Sequence, residues 1–369
     1  MSVHSVAAYA ASARSIVVDR EVLLKGTIAG GTATVIARMP DGGFVIAGDM
    51  GRAWAARVNV GGEIQWQFLD SQDESLGGSI QSQFNGAVML ADSSILLCGR
   101  KYTKHMIFAF ITILASDGRV IEKRYLSPNE GRESYSGSFS RCLRWGDGVA
   151  LIGGASNGKK GVGWLMKLDK NGRKEWEIVN AAVLGTDAVE MADHNLVLTD
   201  SRRVMEIELT RLDQKGEVLA SQSFRGTDLE LLRSTEAIVD LQVVIYGGGS
   251  EATLHTLDSQ LHEVAPPKRI SAVFIEQGCG YVLRDKSAVL FGYEQKGGDA
   301  FTAPYTATIA RVGVDEEPDL VHVLEPYYES FTVRGAVPVS AFEFVAVRDR
   351  IVVGDKNKSG IVLFWVKIK

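Results

Sequence analysis

The sequence predicts an all-β, seven-bladed β-propeller, and three observations support this fold class. Glycine is frequent, at 39 of 369 residues, and proline is scarce, at 8, which favours short strands joined by tight turns. Segments that read as four-stranded antiparallel meanders recur at intervals near the ~40–50 residues of one propeller blade. The last meander lacks a fourth strand, and an isolated strand precedes the first, so the two can complete one blade.

The first repeat unit, Thr34 to Leu69, shows how the strands are assigned. Its runs TVIAR, FVIAG, AWAARVNV and EIQWQFL are apolar or alternate between apolar and polar residues, as β-strands do. The turns between them include PDGG and the pair Gly61 and Gly62, because glycine accepts a positive φ. Four such strands joined by short turns form one antiparallel meander.

The end of the second strand marks the register of each repeat. Successive marks are 45 to 62 residues apart and fall at Gly48, Gly99, Gly153, Thr199, Gly247, Gly292 and Gly354. The predicted blades span residues 33–70, 86–127, 139–181, 184–224, 230–270, 271–326 and 331–369. The longest interval leaves six or eight blades as alternatives to seven.

Ring closure is predicted from the two ends of the sequence. Residues 21–28 read EVLLKGTI and belong to no meander, so they can supply the strand that the blade at 331–369 lacks. Such closure leaves few free sheet edges. We therefore expect one propeller domain over residues 21–369, preceded by an N-terminal extension over residues 1–20.

Two repeats carry a longer motif, from Asp41 to Trp66 and from Asp147 to Trp176. It resembles the bacterial β-propeller repeats of the type DGG-[FY]-[VI]-x-x-G followed by K-L-D-x-x-G-x-x-x-W. The resemblance implies a propeller, because the motif residues are turn formers and aromatic residues that pack between blades. It implies no catalytic residue, because a fold of this kind hosts many functions.

The repeated tryptophans and aspartate turns are interpreted as structural. The tryptophans of third and fourth strands are expected to pack between blades; they are Trp54, Trp66, Trp164, Trp176 and Trp365. A stacking platform for sugars or bases, the alternative, would lie in loops. The sequences DKNG at 169–172 and DQKG at 213–216 are predicted to be β-turns. They lack the distal glutamate and further oxygen ligands of a calcium loop.

The sequence contains no local motif for catalysis or for a cofactor. Cys98, Cys142 and Cys279 lie far apart in apolar or strand-like runs, so we expect buried free thiols. The six histidines lack metal-binding spacing, and no nucleophile elbow, phosphate-binding loop or dinucleotide-binding motif is present. We predict no catalytic residue, no metal and no cofactor. An active site assembled from several blades would leave no such motif and stays the alternative.

Composition and charge exclude several classes of partner. The formal net charge of −5 gives no basic excess for binding nucleic acid. No window approaches the ~18 apolar residues of a membrane span, and the first residues lack the positive start and unbroken apolar run of a signal peptide. We expect a protein of the bacterial cytoplasm that is monomeric on its own.

Partner binding is predicted in the long connections between strands two and three and between blades, which share one face of a propeller. These connections are rich in tyrosine and arginine, which are common at protein-binding hot spots. The candidate partner-binding residues are Arg100, Lys101, Tyr102, Arg132, Tyr135, Tyr293, Phe301, Tyr327 and Tyr328. An ordinary solvated rim is the alternative interpretation of these residues.

The sequence thus predicts a non-enzymatic protein-binding propeller. The narrower hypothesis is a bacterial immunity protein that neutralises a toxin or effector by covering its active site. The alternative is a glycan-binding, small-molecule-binding or hydrolytic propeller with its site at the mouth of the central channel. Carboxylates from several first strands that point into the channel would favour the enzyme.

Overall fold

A computed structural model of the chain describes an all-β molecule. The residues described are 16–26, 31–71, 79–128, 136–156, 161–180, 187–203, 206–226, 228–234, 239–246, 252–270, 279–295, 305–312, 320–323, 333–350 and 359–368. No α-helix occurs among these residues. Within the same ranges, no helix is long and apolar enough to cross a membrane.

Blades 1 to 3 are regular meanders in which the order of strands in the sheet equals their order in the chain. The chain begins its described part with β1 (Ile16–Leu23). Blade 1 comprises β2 (Thr32–Arg38), β3 (Phe44–Asp49), β4 (Ala53–Val58) and β5 (Ile64–Leu69), and blade 2 comprises β6 (Ser79–Met89), β7 (Ile95–Thr103), β8 (Ile107–Leu114) and β9 (Val120–Leu126). Blade 3 comprises β10 (Ser136–Trp145), β11 (Gly148–Ser156), β12 (Gly161–Leu168) and β13 (Lys174–Asn180).

Blades 4 to 6 have shorter first strands. Blade 4 comprises β14 (Ala188–Glu190), β15 (Leu196–Arg203), β16 (Glu206–Leu212) and β17 (Val218–Arg225). Blade 5 comprises β18 (Asp228–Leu231), β20 (Leu241–Tyr246), β21 (Ala252–Leu257) and β22 (Lys268–Ile270). Blade 6 comprises β23 (Cys279–Val282), β24 (Ala288–Gln295), β25 (Tyr305–Val312) and β26 (Leu320–Val323), and the two-residue β19 (Arg233–Ser234) pairs in parallel with β23.

Blade 7 is built from both ends of the chain, which confirms the predicted closure and the count of seven blades. It comprises β27 (Val333–Ser340), β28 (Glu343–Arg350), β29 (Gly360–Ile368) and β1. β1 pairs antiparallel with β29, starting at Ile16 opposite Ile368. The closing strand therefore begins at Ile16 and not at Glu21, because the side chain of Ile16 is buried in the core between blades 6 and 7. Residues 16–20 belong to the propeller and not to an extension.

The two ends of the ring carry different connections. The turn end carries those between strands one and two and between strands three and four of each blade, such as 39–43 and 59–63. The loop end carries those between strands two and three, such as 50–52, and those between blades. The core lies between neighbouring sheets, where each hydrophobic cluster joins strands of adjacent blades.

The tryptophans of the outer strands pack against neighbouring blades, as predicted. Gly118, in a turn with φ +88°, lies so close to Trp66 that a Cβ would sit 2.7 Å from the ring. Trp66 Nε1 also donates to the carbonyl of Ser116 at 2.9 Å. Trp365 packs edge-on against Phe44 of blade 1, with ring centroids 6.5 Å apart. Only glycine fits the turn beside Trp66, because a side chain would meet both the ring and an unfavourable φ.

The aspartate turns are β-turns, as predicted, and not metal loops. Asp169 Oδ1 accepts the backbone N–H groups of Asn171 and Arg173, each at 2.8 Å, and Asp213 repeats the arrangement. These bonds within the turn help to hold the pKa of Asp169 below its usual value, although burial acts in the opposite direction. Among the described residues, no three His, Cys, Asp or Glu side chains are grouped to hold a metal ion.

The three cysteines are buried and free, as predicted. The structure nevertheless brings Cys98 and Cys142 together across the interface of blades 2 and 3. A Cβ on Gly86 would lie 2.6 Å from Cys142 Sγ and 2.8 Å from Cys98 Sγ. Burial, reinforced by the neighbouring Cys142 thiol, raises the pKa of Cys98 well above its ordinary value. The Cys98 thiolate, the reactive form, is therefore scarce at neutral pH.

Candidate functional site

A central channel runs through the ring and forms a large cavity among the described residues. It has a volume of about 1030 Å³ and is lined by residues from all seven blades. Its polar wall comes mainly from the first strands, which lie innermost in each blade. A cavity of this size is within the range of small-molecule sites.

Neutral hydrogen bonds connect blades 1, 2 and 3 around the channel. Thr34 Oγ1 donates to the carbonyl of Phe84 in blade 2, and Asn85 Nδ2 donates to the carbonyl of Phe139 in blade 3 at 2.7 Å. Thr34 and Asn85 are the extra residues of β-bulges in β2 and β6. A bulge re-aims a side chain out of the regular strand pattern, which here directs both residues toward the next blade.

An ionic cluster continues these contacts from blade 3 to blade 5. Arg141 of blade 3 forms an ion pair with Asp187 at the start of blade 4. Arg233 donates to the same carboxylate, with Nη2 3.3 Å from Oδ1 and 3.4 Å from Oδ2. The three side chains are between 17% and 25% exposed, so the cluster lies at the channel wall and only partly in contact with water.

Tyr281 and Asp349 complete the circuit through blades 6 and 7. The Tyr281 hydroxyl donates to the carbonyl of Ala336 in blade 7. Burial raises the pKa of Tyr281 to about 12, even though Arg233 and Arg141 act to lower it, so the hydroxyl keeps its proton. The backbone N–H of Ala33 in blade 1 donates to Asp349 of blade 7 at 2.8 Å. We name the inner set the channel belt; its members are Thr34, Asn85, Arg141, Asp187, Arg233 and Tyr281.

Two of the three carboxylates that line the channel are engaged in contacts between blades. Asp187 serves two arginines, as described above. Glu190 Oε1 accepts the backbone N–H of Gly146 at 2.8 Å and lies 2.8 Å from His194 Nδ1. The third, Asp49, lies at the loop end on the last residue of β3. Among the described residues its side-chain partner is Gln81, whose Nε2 donates to Oδ2 at 2.6 Å.

Arg100 lines the same cavity as Asp49, also toward the loop end. It is on β7, opposite Gln83 of β6, and its Nη2 donates to Gln83 Oε1 at 3.2 Å. Gln81 and Gln83 are two residues apart on one strand, so they point to the same side, roughly 7 Å apart. The mouth therefore presents a carboxylate and a guanidinium, each held by its own glutamine.

Lys101 occupies a buried cluster instead of a surface loop, which corrects the sequence-based placement. β7 continues to Thr103, because the long strand β6 pairs with it as far as Tyr102 and Thr103. Alternate residues of a strand face opposite sides, so Lys101 points into the interface of blades 1 and 2. Its side chain is 0% exposed, with Nζ 3.1 Å from Asp70 Oδ2.

Asp70 is shared by a second lysine. Lys123 Nζ lies 2.7 Å from Asp70 Oδ1, and Lys101 Nζ also donates to Tyr125 at 3.2 Å. Burial lowers the pKa of Lys101 despite the carboxylate. Burial acts in the same direction on Lys123, but hydrogen bonds to Asp70 and Tyr125 outweigh it and raise the pKa of Lys123. Lys101 is thus a packed structural residue that is inaccessible to a partner.

The remaining predicted binding residues have varied positions. Tyr102 lies on β7, with its ring centre 5.3 Å from the Arg100 guanidinium. Tyr293 lies on β24. The others, Arg132, Tyr135, Phe301, Tyr327 and Tyr328, lie outside the described residues. The structure therefore places Arg100 and Tyr102 together near the channel mouth.

Among the described residues, which include few of the long loop-end connections, most large exposed apolar side chains lie at the turn end. Eight of the nine large exposed hydrophobic residues among the described ones lie in its turns or at the first residues of outer strands. They are Val60, Val120, Ile121, Val218, Leu219, Val239, Val264 and Phe342. Leu69, at the end of β5, is the ninth and lies at the loop end.

Sequence reasoning missed the channel belt, although one signal could have found it. Arg141 and Asp187 are 46 residues apart, and Asp187 and Arg233 are again 46 apart. Thr34 lies 50 residues from Phe84, and Asn85 lies 54 from Phe139. These separations match one blade. Polar residues that recur once per blade within first strands would have pointed to a shared position around the axis.

Comparison with known proteins extends the fold assignment and leaves the family open. No family model and no curated protein matches the sequence, so the bacterial repeat type named above stays a resemblance. The fold itself matches 254 chains of solved structures. A fold shared so widely says little about function.

Three of these structures cover most of the chain. A protein of unknown function from Dyadobacter fermentans DSM 18053 has a TM-score of 0.54 at 12% identity, covering 96% of this chain and 99% of that one. BBS1N, solved in complex with ARL6DN, has a TM-score of 0.54 at 11% identity, covering 96% and 97%. Sqt1 from Chaetomium thermophilum has a TM-score of 0.49 at 12% identity, covering 93% and 96%. Likeness at this identity shows the fold alone.

Proposed function

We propose that this chain is a non-enzymatic propeller that binds a partner protein, and that the turn end carries the contact. The observation behind this proposal is that eight of the large exposed apolar side chains among the described residues lie at that end, on blades 1, 2, 4, 5 and 7. Val239 and Val218 are the most exposed, at 70% and 61%. Apolar side chains gathered on one surface are typical of a protein-binding site.

The channel belt supports the proposal by making the ring rigid. Contacts around the axis connect each blade to the next, as described above. A surface held in one conformation loses little entropy on binding, so more of the contact free energy appears as affinity. The complex of the fold neighbour BBS1N with ARL6DN gives a precedent for a fold of this kind within a protein assembly.

The narrower hypothesis, an immunity protein that neutralises a toxin or effector, rests on the sequence-level reasons given above. It predicts that the bound partner is a toxic protein whose activity falls when this chain is added. Identification of the partner therefore tests this hypothesis separately from binding itself.

The experiment is affinity capture from bacterial lysate with the tagged chain and matched variants. The variants Val120→Glu/Ile121→Glu and Val218→Glu/Leu219→Glu place charge on the turn end, and Leu69→Glu places it at the loop end as the control. All five side chains are exposed, so the fold is expected to persist, which circular dichroism checks. We expect a stoichiometric partner that either turn-end variant loses and Leu69→Glu retains.

Other outcomes are equally informative. A partner lost only in Tyr327→Ala/Tyr328→Ala would keep protein binding but move it to the face predicted from the sequence. A chain that captures no stoichiometric protein at low and at moderate salt would contradict the proposed function.

A further inference from the structure

The loop-end mouth of the channel holds two opposite charges that do not neutralise each other. Asp49 and Arg100 both line the cavity, and neither forms an ion pair with any other described residue. Asp49 Oδ1 and Arg100 Nε are buried without a hydrogen-bond partner. Among the described residues, the side-chain hydrogen bonds to the two charges come from the amide groups of Gln81 and Gln83, and the Tyr102 ring lies 5.3 Å from the Arg100 guanidinium.

The other charged groups along the channel show that this arrangement is unusual. Arg141, Asp187 and Arg233 satisfy one another, and Glu190 is held by Gly146 and His194. Within the described ranges the Arg144 side chain has no partner either, but it is exposed at the opposite end. Charged groups away from bulk water are normally paired, because an unpaired charge there is costly. Asp49 and Arg100 line the same cavity, and each hydrogen-bonds to a glutamine of β6.

We propose that this mouth is a binding site for a small zwitterion, such as a free α-amino acid. The ligand's ammonium group would meet the Asp49 carboxylate, and its carboxylate would meet the Nη groups of Arg100. A guanidinium pairs with a carboxylate through two parallel hydrogen bonds, which selects a carboxylate over other acceptors.

The cavity below the mouth leaves room for the rest of the ligand. Its volume of about 1030 Å³ exceeds what an amino acid fills. The wall next to the mouth contains Thr32, Ser138 and Tyr246, which suit a polar or aromatic side chain. This inference concerns the channel alone and does not depend on the proposed protein partner at the turn end.

The test is isothermal titration calorimetry of the full chain with the twenty amino acids, singly, and with monofunctional analogues. We expect at least one amino acid to bind, and its decarboxylated and deaminated analogues to bind about tenfold or more weakly. Asp49→Asn and Arg100→Gln are each expected to weaken binding about tenfold or more, since each removes a hydrogen bond to a charged group. Arg144→Gln, at the opposite end of the channel, is the matched control and should retain wild-type affinity.

Three outcomes would overturn the proposal. The first is that no amino acid binds the correctly folded wild-type chain. The second is binding that survives both Asp49→Asn and Arg100→Gln, and the third is equal affinity for a monofunctional acid or amine. A crystal soak with the strongest ligand gives a second readout, with density expected between Asp49 and Arg100. The melting temperature of each variant, measured alongside, separates a loss of binding from misfolding.

Discussion

The channel belt has a neutral part and an ionic part, which join blades in different ways. Between blades 1 and 3, Thr34 and Asn85 each donate to one backbone carbonyl. Between blades 3 and 5, the single carboxylate of Asp187 serves two arginines. The first arrangement gives each interface its own contact. The second makes two interfaces depend on one side chain.

The difference follows the lengths of the first strands. In blades 2 and 3 the first strands, β6 and β10, have 11 and 10 residues. In blades 4 and 5 the first strands, β14 and β18, have 3 and 4 residues. Short first strands form few backbone hydrogen bonds near the axis. Contacts between side chains therefore contribute more to holding these blades together. A charged cluster can do this over a longer reach than a hydroxyl or an amide.

The largest expected effect is that of Asp187→Ala. It leaves Arg141 and Arg233 facing each other without their shared carboxylate, and breaking such a buried pair is strongly destabilising. Because the side chains are up to 25% exposed, we expect the free energy of unfolding to fall by about 2–3 kcal/mol. Urea denaturation measures it. Asp19→Ala, which breaks an exposed pair with Lys367, is the control and should have a much smaller effect, because solvent screens such a pair.

In the neutral part, Asn85→Ala should have an intermediate effect. It removes the hydrogen bond to the Phe139 carbonyl and leaves that carbonyl without its donor, which costs about 1–2 kcal/mol. The same urea titration measures the change. A loss as large as that caused by Asp187→Ala would mean that a single neutral contact contributes as much to stability as the ionic cluster. That result would contradict the difference between the two parts of the belt.

Thr34→Val should cost less, about 1 kcal/mol, because valine keeps the shape and loses only the hydroxyl that donates to Phe84. The sharper measurement is the double variant Thr34→Val/Asn85→Ala. If neutral contacts act one interface at a time, the two losses should add. Marked non-additivity would mean that the neutral contacts are coupled around the ring.

The smallest effect concerns acid stability and an ion pair outside the belt. Asp285, in a turn of blade 6, pairs with Arg311. Burial raises the pKa of Asp285, but hydrogen bonds from Ser287 and the Arg311 charge outweigh it, so the pKa lies below its usual value of 3.8. A carboxyl group with a lowered folded pKa stabilises the protein above the unfolded pKa, and this contribution is lost as pH falls below about 4.

Asp285→Asn should therefore lower the melting temperature slightly at pH 7 and flatten its decline below about pH 4. Melting curves from pH 7 to pH 2.5 check both parts. An unchanged slope in acid would show that the Asp285 carboxyl does not contribute to the pH dependence of stability.

Much of the fold could be predicted because its signals are local. Turns such as Asp169 to Gly172 form from hydrogen bonds within five residues, so their sequence alone specifies them. The closing strand was predicted as well, although its start at Ile16 was placed too late. An alternating pattern shows that a strand exists but defines its ends poorly, because the burial of Ile16 depends on blade 6, far along the chain.

The site could not be predicted in the same way. Asp49 and Arg100 come from different blades, and their relation depends on Gln81 and Gln83, which read as ordinary polar residues. The sequence predicts Lys101 in a loop, because the second strand of that blade reads as ending at Gly99, and the burial of Lys101 depends on a carboxylate 31 residues earlier. A contact between blades leaves no local pattern.

Blade 7 has a mechanical consequence. Ile16, the first residue of β1, lies opposite Ile368, the last residue of β29. The chain therefore enters β1 and leaves β29 at the same end of the sheet. A pulling force applied to the two ends would open the hydrogen bonds between β1 and β29 one after another, like a zipper, instead of loading all of them together as in shear. The ring should therefore yield at low force at its seam, and a crosslink between Val17 and Lys367 should strengthen it.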